Sequence, residues 1–221
     1  FSYVKCVSCA IFSQLNCSFT FCLAFLETFA ANWWSYNSAV TAQDLYFDDY
    51  GKKNIFVVDS KSASVGETLI VNKLLELKEK GLSFDEIKEE ICKFRDNLNT
   101  YFILENYDSL VNTGRLNPYV AKLAALLGIV PICGADDGHA VLTAKAKGMK
   151  KAYLKLIDDI TKKCNDTENR VLYITHIDAL EKANELKEIM MSKLNFKECH
   201  ITEGSGLCSS YADIGGLIIS F

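Results

Sequence analysis

The sequence predicts an α/β protein built in two parts, and three observations carry that expectation. Short apolar, β-prone runs alternate with segments of helical periodicity through most of the chain. The breaks between them fall at glycine, aspartate and serine, the residues that turns and helix ends require. The 221 residues, 49% hydrophobic and 24% charged, suffice for one large core or two smaller ones, and they exclude a chain disordered throughout.

Tyr3 to Phe12 is apolar and β-prone and reads as a buried strand. Cys17 to Trp34 is rich in Phe, Trp and Cys, with Glu27 its only charge, and is unlike the rest of the chain. Ser38 to Tyr46 has helical character and Gly51 breaks it. Ile55 to Asp59 is an apolar run closing on an acid, followed by a serine-rich turn and a helix, which is the pattern of a buried parallel strand. The helix runs from about Ser64 to Lys80 and stops at Gly81. Ser83-Phe84-Asp85-Glu86 is a capping box, and the helix behind it sets Phe84, Ile87, Ile91 and Phe94 at core spacing.

Thr100 to Leu104 is the next strand, and a short helix over Tyr107 to Val111 is closed by Gly114-Arg115. Pro118 opens a helix that Gly128 ends, and Ile129 to Cys133 is a strand. Asp137-Gly138 marks a tight turn between strands. A helix over about Lys147 to Lys163, a strand over Val171 to Thr175, a helix over Asp178 to Leu194 and a strand over Phe196 to Thr202 follow. A glycine-rich turn then leads to the apolar strand Leu217 to Phe221. Up to about Asn97 strands and helices alternate simply; beyond it hairpin signals mix with helices. The expected division is therefore a domain over 1–98 and a second over 99–221.

Charge and motifs narrow the function. The 24 basic and 28 acidic residues give a net charge of −4, which argues against wholesale binding to nucleic acid or to an anionic membrane. No uncharged apolar run reaches the length of about 18 residues that a spanning helix needs. A secretory signal is disfavoured, because Gln14 and Asn16 interrupt the apolar stretch after Lys5 and it ends in Trp33-Trp34. Of the nine cysteines, Cys92, Cys133, Cys164, Cys199 and Cys208 are scattered singly, the usual pattern of buried free thiols. Cys6, Cys9, Cys17 and Cys22 crowd the N-terminus, but their apolar flanks favour a strand with buried thiols over a zinc site. There is no P-loop, no strand followed by G-x-G-x-x-G, and no nucleophile elbow around Gly204-Ser205-Gly206. The pairs Asp48-Asp49 and Asp136-Asp137 read as solvated turns rather than metal ligands. His176, at a strand end ahead of a helix, stands where α/β ligand sites tend to lie, although a structural role is the commoner one there.

From Ser35 onward the sequence resembles the DegV family of bacterial fatty-acid-binding proteins. Ser35-Tyr36-Asn37-Ser38-Ala39 resembles the tail of that family's S-G-T-Y-x-S-A segment. Val57-Val58-Asp59-Ser60-Lys61-Ser62-Ala63-Ser64-Val65-Gly66 resembles its V-x-D-S-x-x-x-S-x-G run. Thr100-Tyr101-Phe102 with Leu110 and Gly114-Arg115-Leu116, then Leu127 to Ile132, Asp137-Gly138 and Lys145 to Gly148, follow in the family's order. The sequence departs from the family's pattern at several places. The family's opening T-D-S strand and T-S-x-P-S loop are absent, Cys17 to Trp34 intervenes, and Trp33-Trp34 stands where Ser-Gly is expected. Lys147 occupies what is often an arginine position, and Ser209 to Gly216 replaces the commoner His-x-Gly-Pro-Gly ending.

The resemblance implies a two-domain α/β architecture, with a parallel-sheet N-terminal domain that is incomplete here and a mixed-sheet C-terminal domain. It implies a non-enzymatic cytoplasmic carrier that holds one long-chain fatty acid in a tunnel between domains, without cofactor or metal. Its carboxylate would meet hydroxyls and backbone N–H groups, for which Ser35, Ser38, Ser209 and Ser210 are candidates and His176 a lesser one. It also implies a partner, a fatty acid kinase that turns the bound acid into an acyl phosphate, with Arg115 and Lys147 as docking charges and membrane contact at most transient. The alternative is a small-molecule phosphotransferase on a related α/β fold, which requires a nucleotide or metal site of which the sequence offers no sign.

Overall fold

The computed structural model describes residues 10–11, 22–23, 33–52, 54–112, 117–204 and 206–221. They fall into two units, and the first gathers the described residues up to Leu98 together with Asp137–His139. Its two-residue strands β1 (Ala10–Ile11) and β2 (Cys22–Leu23) pair antiparallel; the rest of the expected strand Tyr3 to Phe12 lies outside the described residues. Three helices follow: α1 (Trp33–Tyr50), α2 (Val65–Glu79) and α3 (Phe84–Asp96). Ile70, Leu74 and Leu77 of α2 meet Ile87 and Ile91 of α3 and Val58 in one apolar cluster. The capping box forms as expected: Ser83 Oγ accepts from the Glu86 N–H, and the Glu86 carboxylate accepts from the Ser83 N–H at 2.8 Å.

The parallel strand expected over Ile55 to Asp59 is not formed. Val57 and Val58 are buried, as the apolar run demands, but the segment has no ladder among the described residues. The Val57 N–H instead donates to Gln43 Oε1 of α1 at 3.2 Å. Apolar composition buries a segment; only a neighbouring backbone makes it a strand.

The second unit holds 99–136 and 140–221. Its strands are β3 (Thr100–Ile103), β4 (Ile129–Asp136), β5 (His139–Lys147), β6 (Val171–His176), β7 (Glu198–Glu203) and β8 (Leu217–Ser220), in the spatial order β5-β4-β3-β8-β6-β7. The sheet is mixed: β3 pairs antiparallel with β4 and β8, β6 antiparallel with β8, and β6 parallel with β7. Asp137 and Gly138, both at positive φ, form the two-residue turn between β4 and β5. The helices are α4 (Asp108–Asn112), α5 (Pro118–Leu126), α6 (Met149–Lys163), α7 (Leu180–Leu194) and α8 (Leu207–Ala212). The crossover from β6 through α7 to β7 is the parallel connection that a helix makes possible.

The core lies between one face of this sheet and helices α6 and α7. Tyr101, Ile103, Ile132, Leu172, Ile174, Leu217 and Ile219 point to it from the strands, and Leu156, Ile160, Leu186 and Met190 from the helices. Each such aliphatic side chain contributes about 1.5–3 kcal/mol on burial. Tyr101 keeps its hydroxyl bonded to Asp159 Oδ2 at 2.9 Å. Tyr153 does not: its hydroxyl is buried without a hydrogen-bond partner among the described residues. Burial, with Glu185 and Glu105 nearby, pushes this phenol up to about 12. A buried, unpaired hydroxyl costs about 1–3 kcal/mol. Tyr153→Phe is therefore expected to leave the melting temperature unchanged or raise it; a clear fall would mean that the hydroxyl is in fact satisfied.

Candidate functional site

Register decides what the second face of the sheet carries, because residues directly opposite each other share a face. Thr100 is opposite Ser220, Ser220 opposite Tyr173 and Tyr173 opposite His200. Phe102 is opposite Cys133 and Ile218, Ile218 opposite Thr175, and Thr175 opposite Thr202. Thr100, Phe102, Ile218, Ser220 and Thr175 are all buried. Their hydroxyls pair across strands, Thr100 Oγ1 with Ser220 Oγ at 3.0 Å and Thr175 Oγ1 with Thr202 Oγ1 at 3.0 Å. The result is a largely apolar surface on which the threonine and serine hydroxyls bond one another. Burial pushes the Cys133 and Cys199 thiols up to about 11, so neither is a thiolate nucleophile near neutral pH.

At the end of this sheet the chain turns through Gly204, α8 and 213–216 before entering β8. Ile177 exchanges backbone bonds with Gly215 and Gly216 at 2.9 and 3.0 Å, which extends the contact of β6 with β8. Glu105 forms an ion pair with Lys182, and Ser109 Oγ donates to Asp213 Oδ2 at 3.2 Å. Helix α8 brings Ser209, half-buried, and the exposed Ser210 to this end of the sheet.

In the first unit the serine-rich run after Asp59 is an ordered loop. The Lys61 N–H donates to Asp59 Oδ1 at 3.0 Å, Ser60 Oγ donates to the Ser62 carbonyl at 3.0 Å, and the Ser62 N–H returns to Ser60 Oγ at 3.2 Å. Arg95 Nη1 reaches the Asp59 carbonyl at 3.4 Å. Ser60 and Ser62 are both about 1% exposed, and the Ser60 hydroxyl serves the loop that launches α2.

The family model described as "Uncharacterised protein, DegV family" matches residues 34–221. The chain belongs to the DegV family. A DegV domain-containing protein of Streptococcus gordonii is 33% identical over 188 residues, which is 85% of this chain and 66% of that relative. The chain thus spans about two thirds of the length of the curated relatives it matches. Among solved structures, a DegV family protein of Ruminococcus gnavus, in a refinement with vaccenic acid, has a TM-score of 0.81 at 32% identity, covering 94% of this chain and 73% of that one. The Streptococcus pneumoniae Fatty Acid Kinase (Fak) B3 protein loaded with linoleic acid has a TM-score of 0.79 at 30% identity, covering 93% and 72%.

The residues singled out in the sequence take different places in this DegV chain. Ser35 and Ser38 both lie in α1, which begins at Trp33 and not at Ser38. Ser38 is exposed and five residues inside the helix, so the free N–H groups that would favour an anion belong to the residues before it. His176 is opposite Leu217, on the helix-covered face and away from the hydroxyl pairs. It is buried, and its Nδ1 accepts from the Ala179 N–H at 3.2 Å at the entry to α7. Lys147 is exposed at the last residue of β5. Arg115 lies outside the described residues, as do Cys6, Cys9 and Cys17. Among the described residues no group of three His, Cys, Asp or Glu is placed to hold a metal ion, and no helix is long and apolar enough to cross a membrane. Sequence reasoning missed the hydroxyl pairs and Asp213. The signal of the hydroxyl pairs is faint, a single Thr or Ser at the paired position of each of four strands, and Asp213 stands in a turn without a motif.

Proposed function

We propose that the protein is a fatty-acid carrier without chemistry of its own, which takes up one long-chain fatty acid and presents its carboxylate to a fatty acid kinase for acyl-phosphate formation. One observation carries the reading: the chain shares its fold, at 30% identity or more, with two solved DegV structures that hold vaccenic and linoleic acid. The physics of this chain suits the task. Each buried methylene contributes about 0.8 kcal/mol, so a long acyl chain binds tightly to an apolar surface without a charge pair. The face bearing Phe102, Cys133 and Ile218 is of that kind, because its threonine and serine hydroxyls are already bonded to one another.

The carboxylate needs donors. Ser209 and Ser210 on α8 are the leading candidates, because a short helix at a sheet end presents both. Ser35 and Ser38 of α1 stand second, and His176 last, since Nε2–H is all that its ring has left to offer. Arg115 and Lys147 are assigned to kinase docking, where a surface charge acts on association and not on the buried tail.

Lipid extraction and native mass spectrometry of the purified protein test the reading. The expected result is one bound fatty acid of roughly fourteen to eighteen carbons per chain, a range that the family resemblance implies and that per-methylene burial is consistent with. Extraction that yields no lipid, together with no uptake of added palmitate or oleate, would overturn it.

A further inference from the structure

We infer that Asp213 is a positioning residue, holding the serine-bearing helix α8 against both α4 and the start of β8; the inference rests on the fatty-acid reading of α8. Asp213 has φ 57° and ψ 172°, a conformation that glycine adopts freely and other residues almost never. Such a residue persists only where its surroundings over-determine it, and here each of its polar groups is engaged. Its N–H donates to the Ser209 carbonyl at 3.1 Å, and its carbonyl accepts from the Gly216 N–H at 3.1 Å. Its Oδ1 accepts from the Ile214 N–H at 2.8 Å, and its Oδ2 accepts from Ser109 Oγ of α4 at 3.2 Å.

One residue therefore ties three elements together, and one of its backbone bonds goes directly to Ser209. Glycine would satisfy the backbone at this position without strain, but it would supply neither carboxylate bond. The side chain thus does what the backbone conformation alone does not require: it links α8 to α4 across 104 positions of sequence. A head-group site needs its donors held to within a few tenths of an ångström, and rigid support of this kind supplies that.

The test compares Asp213→Gly, Asp213→Asn and Ser109→Ala with the unmodified protein, by palmitate titration and by thermal melting. Asp213→Gly relieves the strained backbone and removes both carboxylate bonds. Its melting temperature is expected to hold or rise while palmitate affinity falls by about five- to tenfold. Asp213→Asn keeps an acceptor and tolerates positive φ, and its affinity is expected to stay within about twofold of the unmodified protein. Unchanged affinity in Asp213→Gly overturns the positioning role alone. If Asp213→Gly instead melts early, Ser109→Ala decides: weaker affinity at an unchanged melting temperature upholds the role, and full affinity overturns it. No palmitate uptake by the unmodified protein overturns the fatty-acid reading, and the positioning role with it.

Discussion

Replacing Gly216 by alanine is expected to cost about 3 kcal/mol of stability, a fall in melting temperature of roughly 6–12 °C for a chain of this size. An ideal Cβ on Gly216 would fall within the van der Waals shell of the Ala212 carbonyl oxygen and lie 3.0 Å from Ala212 C and Cβ. Those atoms are mostly backbone at the end of α8, so no side chain can rotate away. Two bonds anchor the glycine where it is: its N–H donates to the Asp213 carbonyl, and its carbonyl accepts from the Ile177 N–H at 3.0 Å. An alanine must therefore push α8 off the start of β8 or break the contact of that turn with β6. Gly128→Ala is the control. Gly128 has φ +60 and nothing within 4 Å of a built Cβ, so only the left-handed backbone is penalised, by about 1–2 kcal/mol. Thermal and urea unfolding of the two variants would show whether the close approach matters. Equal losses would mean that the packing of α8 on β8 is not the constraint.

The same turn shows why some of the structure was legible in the sequence and some was not. Helices with chemical punctuation could be read directly: Ser83 and Glu86 announce α3, Gly81 ends α2, and Pro118 and Gly128 bracket α5. Helix α8 could not. Its six residues are too few to show a period, and Gly204 and Gly206 ahead of it read as a turn. The start of α1 was hidden because it falls at Trp33-Trp34, inside an aromatic run that masks the helical period; Asn32, a residue type that caps helices, precedes it in the sequence but stood too far ahead of the recognisable periodicity to be read as a start. Ile55 to Asp59 has the composition of a strand, and composition carries no information about whether a partner is present.

The candidate site was the least legible part. Thr100 and Ser220 are 120 positions apart and meet only through the pairing of β3 with β8. A shift of one residue in that register would put the two on opposite faces of the sheet. His176 is the converse case. Leu172 and Ile174 point to the helix-covered core, and a period of two carries His176 to the same face. Alternation along β6 therefore already favoured a structural histidine.

Changing Ser209 and Ser210 together to alanine is expected to weaken fatty-acid binding by about one to two orders of magnitude. A hydroxyl bonded to a carboxylate contributes roughly 1.5–3 kcal/mol where water is excluded. The acyl tail contributes separately, so substantial affinity should survive. Alanine is the better helix former, so α8 itself has no reason to melt. Ser38→Ala should have a smaller effect, because Ser38 is exposed within α1 and not at its N-terminus. A serine hydroxyl inside a helix turns readily to a carbonyl of the preceding turn. Palmitate and the matching fatty alcohol, titrated against both variants, separate head group from tail. The Ser209/Ser210 variant should lose affinity for the acid and keep it for the alcohol. Equal loss for both ligands would mean that the substitutions deform the apolar surface. Undiminished binding of the acid would take the head group away from α8 and leave Ser35, Ser38 and His176 as its candidate donors.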